Sequence, residues 1–208
     1  LEAAGRTRGW WRRFDCLSGE ASAIPLPDAS VDLVVANLLL PSVTDPEAVL
    51  AEVRRVLKPR GYFAFTTLGA TTLQEVRSAF AAADKTPHAL EFPDFHDVGD
   101  GLTRVGFVAP VLDADRLMVT YRSLADVCRD LRAAGATPPR EGRRTLTGAR
   151  RWRAAEDAFA ARAESDQRVA VTCEVIYGQA WCPDTNQADQ SNGPREVVVP
   201  LSRLRRRE

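Results

Sequence analysis

Apolar positions along the chain keep two rhythms in turn. Short runs of β-branched and aliphatic residues alternate with segments whose apolar positions return every three or four residues, the mark of strands interleaved with helices. Val31–Ala36 (VDLVVA) reads as a strand buried on both faces of a parallel sheet, with Asn37 at its carboxyl end. Thr44-Asp45-Pro46-Glu47 opens a helix: Thr44 and Glu47 have capping-box spacing, and Pro46 sits in the first turn, where its missing N–H costs nothing. Leu50, Val53 and Leu57 recur at helical spacing, and Lys58-Pro59-Arg60-Gly61 stops the helix. Tyr62–Leu68 is the next strand. The spacing predicts a βαβ unit in which Val31–Ala36 and Tyr62–Thr67 are adjacent parallel strands, crossed by the helix from Pro46 to Leu57.

The remaining segments extend this alternation. Phe14–Ser18 is a short strand candidate upstream, followed by the turn-rich Ile24-Pro25-Leu26-Pro27-Asp28. Thr72 and Glu75 have the spacing of a second capping box, with Leu73, Val76 and Phe80 as the buried stripe. A loop from Asp84 to Asp94 leads to a short helix over Asp97–Val105, with Asp97 as cap and Gly106 as stop. Val111–Tyr121 reads as a strand, and Ser123 caps a helix that runs through Leu131 and closes at Gly135. After a basic loop, Pro138–Gly148, a helix carries Trp152, Ala155 and Phe159. Val169–Trp181 alternates Val169, Val171, Cys173, Val175 and Tyr177 on one face of a strand. Asp184–Pro194 is polar, and Val197–Leu201 is a small terminal strand before an arginine tail. The expected architecture is α/β, a mostly parallel sheet with helices on both faces. Residues 1–183 form one domain with helical insertions, and 184–208 form a polar loop and basic tail.

Charge changes this picture locally. The 28 Lys and Arg balance the 28 Asp and Glu, so net charge gives no prior for nucleic acid. Acids dominate from Asp94 to Asp100 and arginines from Arg140 to Arg153. No apolar run approaches a bilayer span, and no signal peptide is present. Cys16, Cys128, Cys173 and Cys182 form no C-x-x-C pair and suit neither zinc nor a disulfide framework, which points to free thiols in a reducing cytoplasm. The chain opens on Leu1 rather than Met, and its first residues read like the tail of a helix, as a fragment would.

Ligands of open α/β sheets bind at the carboxyl ends of the strands. That rule selects Gly19-Glu20-Ala21, Asn37-Leu38-Leu39 and Thr66-Thr67-Leu68-Gly69. Glu20 can accept from an exocyclic amine, and backbone groups near Asn37 can hold a zwitterionic tail; the plainer readings are a solvated loop acid and a turn residue. His88 and His96 are the only histidines, and with Asp94, Asp97 and Asp100 they match no metal-ligand spacing, so no metal is expected. His88 suits a substrate pocket better. Gly99-x-Gly101 lacks both the third glycine and the preceding strand of a dinucleotide fingerprint. Arg140, Arg143, Arg144, Arg150, Arg151 and Arg153 crowd a loop and a helix start. Such a run is often only a solvated face, but arginines at a helix N-terminus oppose its dipole, by about 0.3–1 kcal/mol each, which gives weight to an anionic partner.

In order along nearly the whole chain, these segments resemble the malonyl-acyl carrier protein O-methyltransferases of biotin synthesis. Gly19-Glu20-Ala21-Ser22-Ala23-Ile24-Pro25-Leu26 is similar to the adenine-side loop of class I methyltransferases, with Glu20 for the usual Asp. Asp28–Val34 with Asn37-Leu38, and Glu52–Gly61 with Arg60 for a usual Gly, resemble the next strand and the widespread helix-to-strand joint. Narrower signals are Thr66-Thr67-Leu68-Gly69, Pro87-His88, His96–Asp100, Arg104–Phe107, Thr120-Tyr121, Leu146-Thr147-Gly148 and Glu174-Val175-x-Tyr177-Gly178-x-Ala180-Trp181. The family often has Gln-Trp where Pro41-Ser42 stand.

The resemblance implies a Rossmann-like class I methyltransferase sheet with added helices. It places the family's first strand, glycine-rich loop and ribose-binding acid before Leu1. It implies methyl transfer from S-adenosylmethionine to the free carboxylate of malonyl-acyl carrier protein, by a cytoplasmic monomer without metal, nucleic acid or membrane partners. Glu20, Ala21, Asn37 and Leu38 are the expected cofactor contacts; His88, Tyr121, Arg143 and Arg144 are the candidate holders of the substrate carboxylate. Arg140, Arg150, Arg151 and Arg153 form the candidate docking patch for the acidic carrier protein. The alternatives are a related arginine-modifying complex I assembly factor and a non-catalytic binding domain.

Overall fold

The βαβ unit is present where the sequence puts it. The structure, a computed structural model, describes residues 15–83, 92–135, 148–163 and 165–184. β1 (Val31–Asn37) pairs in parallel with β2 (Leu57–Leu68), and α1 (Pro46–Val56) crosses between them after a single 3-10 turn at Leu40–Ser42. Val49, Leu50, Val53 and Val56 of α1 are buried against the sheet. The N-cap is Asp45 rather than Thr44: its carboxylate accepts the Ala48 N–H at 3.0 Å. Pro46 at the first helical position holds the residue before it extended, and an Asp there reaches the orphan donors directly. The Lys58–Gly61 stop also belongs to β2, whose pairing with β1 shifts register between Val31 and Leu33.

The sheet order is β1-β2-β4-β3, with β3 at Val108–Tyr121 and β4 at Val169–Trp181. β4 is antiparallel to both neighbours. Three of the four described strands therefore run one way, but only one pair is parallel, and the mostly parallel sheet read from the sequence is corrected to a mixed one. Alternating β–α spacing does not encode the direction of a strand that returns between two others. The expected strand at Phe14–Ser18 is absent over Asp15–Ser18, and Phe14 lies outside the described residues, as do 184–208 apart from Asp184.

Helices cover both faces, at different ends. β4 keeps unbroken register with β3 from Val169 to Val175, so its even and odd residues face opposite ways. Ile176 and Ala180 join Phe63, Phe65, Phe107 and the apolar stripes of α1 and α3 (Phe95–Val105) in one core cluster. Val169 and Val171, on the other face, join α2 (Gln74–Ala83), α4 (Leu124–Ala133) and α5 (Ala149–Ala160) in a second. α3 carries a capping box in which Asp97 is the third residue and Asp94 the cap, and it ends at left-handed Gly106 (φ 93°). α4 is capped by Ser123 as the sequence predicts.

The Thr72–Glu75 pair is a correction. Neither side chain caps α2; both turn away to β4. β1 is another: Leu33 (56% exposed) and Val35 (67%) stand on a face that no described residue covers, so β1 is buried on one face only among the described residues.

Candidate functional site

The carboxyl ends of β1 and β2 meet at Asn37, Leu38 and Thr66. Leu38 takes a left-handed turn (φ 50°), and its N–H is shared between the Thr66 carbonyl at 3.1 Å and the Thr66 hydroxyl at 3.0 Å. That hydroxyl donates to Asn37 Oδ1 at 2.6 Å. Asn37 is thereby oriented through its acceptor, and its amide NH2 remains the group it can offer outward. The chain leaves the strand sharply here, and a side chain in the left-handed region is retained only where its surroundings fix it.

The Gly19–Asp28 loop is built onto α1. Arg55 donates to the carbonyls of Ile24 and Leu26, both at 2.9 Å, and to Asp28 at 2.5 Å. It also grips Glu52 at 2.9 and 2.8 Å, and Glu52 in turn accepts the Ile24 N–H at 2.9 Å. The Arg55 hydrogen bond, ahead of that from Ile24, holds the Glu52 carboxyl below its ordinary value, and the bonds to Glu52 and Asp28 push the guanidinium further up. The contacts proceed down α1 from Glu52 at Ile24 to Arg55 and Val56 at Ala29 and Ser30. Upstream of these contacts the chain turns back on itself, the Ala23 N–H donating to the Glu20 carbonyl at 3.0 Å. Glu20 is exposed, and Ala21 packs against the first core cluster.

A trough of about 510 Å³ crosses the uncovered face, lined by Val35, Asn37, Tyr62, Thr66, Asp113 and Tyr177 among others. The Tyr62 hydroxyl donates to Gln179, and its ring lies 4.5 Å from that of Trp181. Asn37 and Thr66 thus border both the strand ends and this trough.

Of the expected substrate holders, Tyr121 is described and His88, Arg143 and Arg144 lie outside the described residues, as does Arg140 of the docking patch. Tyr121 ends β3 against the second core cluster. Burial first, then the nearby Asp130 carboxylate, push its pKa up. Arg150, Arg151 and Arg153 are exposed on the first turns of α5. Gly148 caps this helix without a side chain, and no acid stands in its first turn. Among the described residues no group of three or more His, Cys, Asp or Glu is placed to hold a metal ion, and no helix is long and apolar enough to cross a membrane.

Sequence reasoning missed the Glu52–Arg55 clamp and a second carboxylate cluster, Glu75 and Glu174, beyond the end of β2. The one local signal was an acid, Glu174, inside an otherwise apolar strand pattern.

The methyltransferase-domain family matches residues 1–65. The malonyl-[acyl-carrier protein] O-methyltransferase of Laribacter hongkongensis is 40% identical over 196 residues, covering 93% of this chain and 66% of that protein. Those of Xylella fastidiosa and Halorhodospira halophila, of the same name, are 37% identical over 98% of this chain and 39% identical over all of it, with 70% of each covered. The chain thus spans about two-thirds of the length of these relatives. Two solved structures share the fold at a TM-score of 0.51: a provisionally assigned methyltransferase of Bacillus halodurans, 16% identical over 79% of this chain and 70% of that one, and the YcgJ protein of Bacillus subtilis, 15% identical over 80% and 70%. Methyltransferase fold and near-complete coverage by such relatives together place this chain in the malonyl-[acyl-carrier protein] O-methyltransferase family.

Proposed function

We propose that the protein transfers a methyl group from S-adenosylmethionine to the free carboxylate of a malonyl thioester carried by acyl carrier protein. The observation that carries this reading is the 37% identity, over 98% of the chain, with a relative named for that substrate. The names of the relatives above lend nothing to the arginine-modifying or non-catalytic readings.

Two of the expected cofactor contacts have chemistry that fits the cofactor. The Glu20 carboxylate suits an adenine amine, and its loop is held by the Arg55 clamp rather than left to search. The Asn37 amide NH2, left outward by the Thr66 bond to its oxygen, suits the carboxylate of the cofactor's tail. When bound, the cofactor supplies an electrophilic methyl on a positively charged sulfur. A malonyl carboxylate is ionised at neutral pH, so it needs no general base. What the chain has to supply is alignment and partial desolvation, with the attacking oxygen left bare. Arg143, Arg144 and His88 are the proposed holders of the second carboxylate oxygen, because a guanidinium matches a carboxylate with two parallel bonds.

Arg150, Arg151 and Arg153 are the proposed docking patch, together with Arg140. Three arginines at a helix start without a side-chain cap oppose the dipole, and an acidic carrier protein gives that arrangement a use. The test is methyl transfer by the intact enzyme to malonyl-acyl carrier protein and to a small malonyl thioester. Arg150→Glu with Arg153→Glu should raise the carrier-protein KM about tenfold and flatten its salt dependence, with the small substrate spared. No transfer to either malonyl compound would remove the proposed reaction. Equal losses on both would remove the docking patch.

A further inference from the structure

β4 outruns β2. Their last ladder pair is Leu68 with Val175, so positions 169–174 of β4 lack a strand neighbour on that side. The segment after β2 fills the gap with side chains. The Gly69 N–H donates to the Glu174 carbonyl at 2.9 Å and the Leu73 N–H to the Thr172 carbonyl at 2.8 Å. The Thr72 hydroxyl accepts the Glu174 N–H at 3.0 Å and donates to the Glu174 carbonyl at 3.1 Å, as a paired residue's backbone would. The Glu75 carboxylate accepts the Thr172 N–H at 2.9 Å and the Thr172 hydroxyl at 2.7 Å. Thr72, Glu75 and Thr172, three of the four buried polar side chains among the described residues, lie in this one seam, and the fourth, Thr67, stands in the β2 ladder just before it.

Those bonds already satisfy the backbone. The Glu174 carboxylate does something more. One oxygen accepts both the N–H (3.0 Å) and the hydroxyl (2.8 Å) of Thr71, and the other accepts Arg116 Nε of β3 at 3.3 Å. The side chain is 13% exposed, and Arg116 is 65% exposed. Gly69 passes so close that any Cβ there would collide with this carboxylate. A half-enclosed acid is costly to desolvate, and an apolar residue would serve packing at least as well. Its geometric effect is on the Gly69–Thr71 turn, which directly follows the carboxyl end of β2, and which it ties to both β3 and β4.

We propose that Glu174 is a positioning residue for the methyl transfer: through Thr71 it fixes the turn after β2 as the wall against which the acyl acceptor is aligned. This rests on the reaction proposed above. In the intact enzyme, Glu174→Gln and Thr71→Val should each raise the KM for malonyl-acyl carrier protein about fivefold and lower kcat, with the cofactor KM changed less than about twofold. Thr71→Val keeps the fold if Glu174→Gln does not, since it removes only a hydroxyl. In Glu174→Gln the Thr71 amide should exchange its hydrogen about tenfold faster, with the amides of Phe63 and Phe65 unchanged. A lower kcat with both KM values unchanged would mean only less folded enzyme and would overturn the proposal, as would an unchanged Thr71 amide. A wild-type enzyme inert toward malonyl thioesters but with the faster Thr71 exchange in Glu174→Gln would overturn the reaction and leave the fixed turn standing.

Discussion

Gly178→Ala adds one methyl group at the described glycine with the least room for it. Gly178 lies in β4 directly across from Phe65 of β2, on the face covered by α1 and α3. A Cβ at position 178 would run into three carbons of the Phe65 ring, Cζ, Cε1 and Cε2, the most distant of them only 2.8 Å away. The ring has little room to withdraw. Phe65 is 4% exposed and stacks on Phe63 at 4.9 Å, and Phe63 is fully buried and stacks on Phe107 at 5.6 Å. Forcing a methyl group into a packed core costs about 1–3 kcal/mol. Against this, replacing a strand glycine returns about 0.5–1 kcal/mol of backbone entropy. With both terms at mid-range, about 2 less about 0.75, the expected net loss is about 1 kcal/mol. Urea unfolding of the intact protein, followed by tryptophan fluorescence, measures it as a lower midpoint at unchanged slope. If the clash is with the ring, Gly178→Ala made on a Phe65→Leu background should cost nothing or stabilise, a coupling of about 1–3 kcal/mol, the clash term itself. The reasoning fails if the alanine costs the same on both backgrounds, or if it is as stable as the parent.

Three further outcomes follow from the seam, the clamp and the thiols. Burial pushes the Glu75 carboxyl up, but its hydrogen bonds, led by the Thr172 N–H and hydroxyl and joined by its own N–H and Gln74, together outweigh it and hold the pKa below the ordinary glutamate value. The stabilisation is therefore complete above about pH 4.3 and is lost as pH falls through the lower folded value, so Glu75→Gln should flatten the acid limb of the urea midpoint; an equally steep limb contradicts this. Arg55→Gln should weaken cofactor binding about tenfold by calorimetry, because the Glu20 loop loses its anchor at Ile24 and Leu26; an unchanged dissociation constant would detach that loop from the site. Burial pushes the thiols of Cys128, Cys173 and Cys182 up, and Cys16 is exposed, so brief iodoacetamide treatment should label Cys16 first; mass mapping that finds Cys182 labelled as fast would contradict the packing.

The βαβ unit was legible because its signals are local: a β-branched run, a proline at a helix start, a Lys-Pro stop. The two capping boxes show where locality ends. Thr44 and Asp45 are adjacent candidates, and only the extended geometry before Pro46 selects Asp45. Thr72 and Glu75 have the same spacing as a box, yet their partners lie 102 and 97 residues away in β4. A threonine and a glutamate three apart look alike whether they close a helix or complete a ladder. The choice depends on β4 running past the end of β2, and no window of sequence contains both strands.

The same distinction divides the candidate site. Asn37 and Leu38 could be named from sequence because the end of a buried strand is a local event, and in α/β sheets that end is where ligands sit. The groups that hold those ends still come from elsewhere: Thr66 is 29 residues from Asn37, Arg55 is 31 from Ile24, and Glu174 is 103 from Thr71. Each is a polar residue in a segment read as ordinary helix or strand, and each directs bonds beyond its own element. A composition or a period cannot report this, since both describe an element by its own face. The acid in the apolar pattern of β4 was the one visible irregularity. A carboxylate set among β-branched residues must find donors or neutralise, and Glu174 finds them on the turn that follows β2.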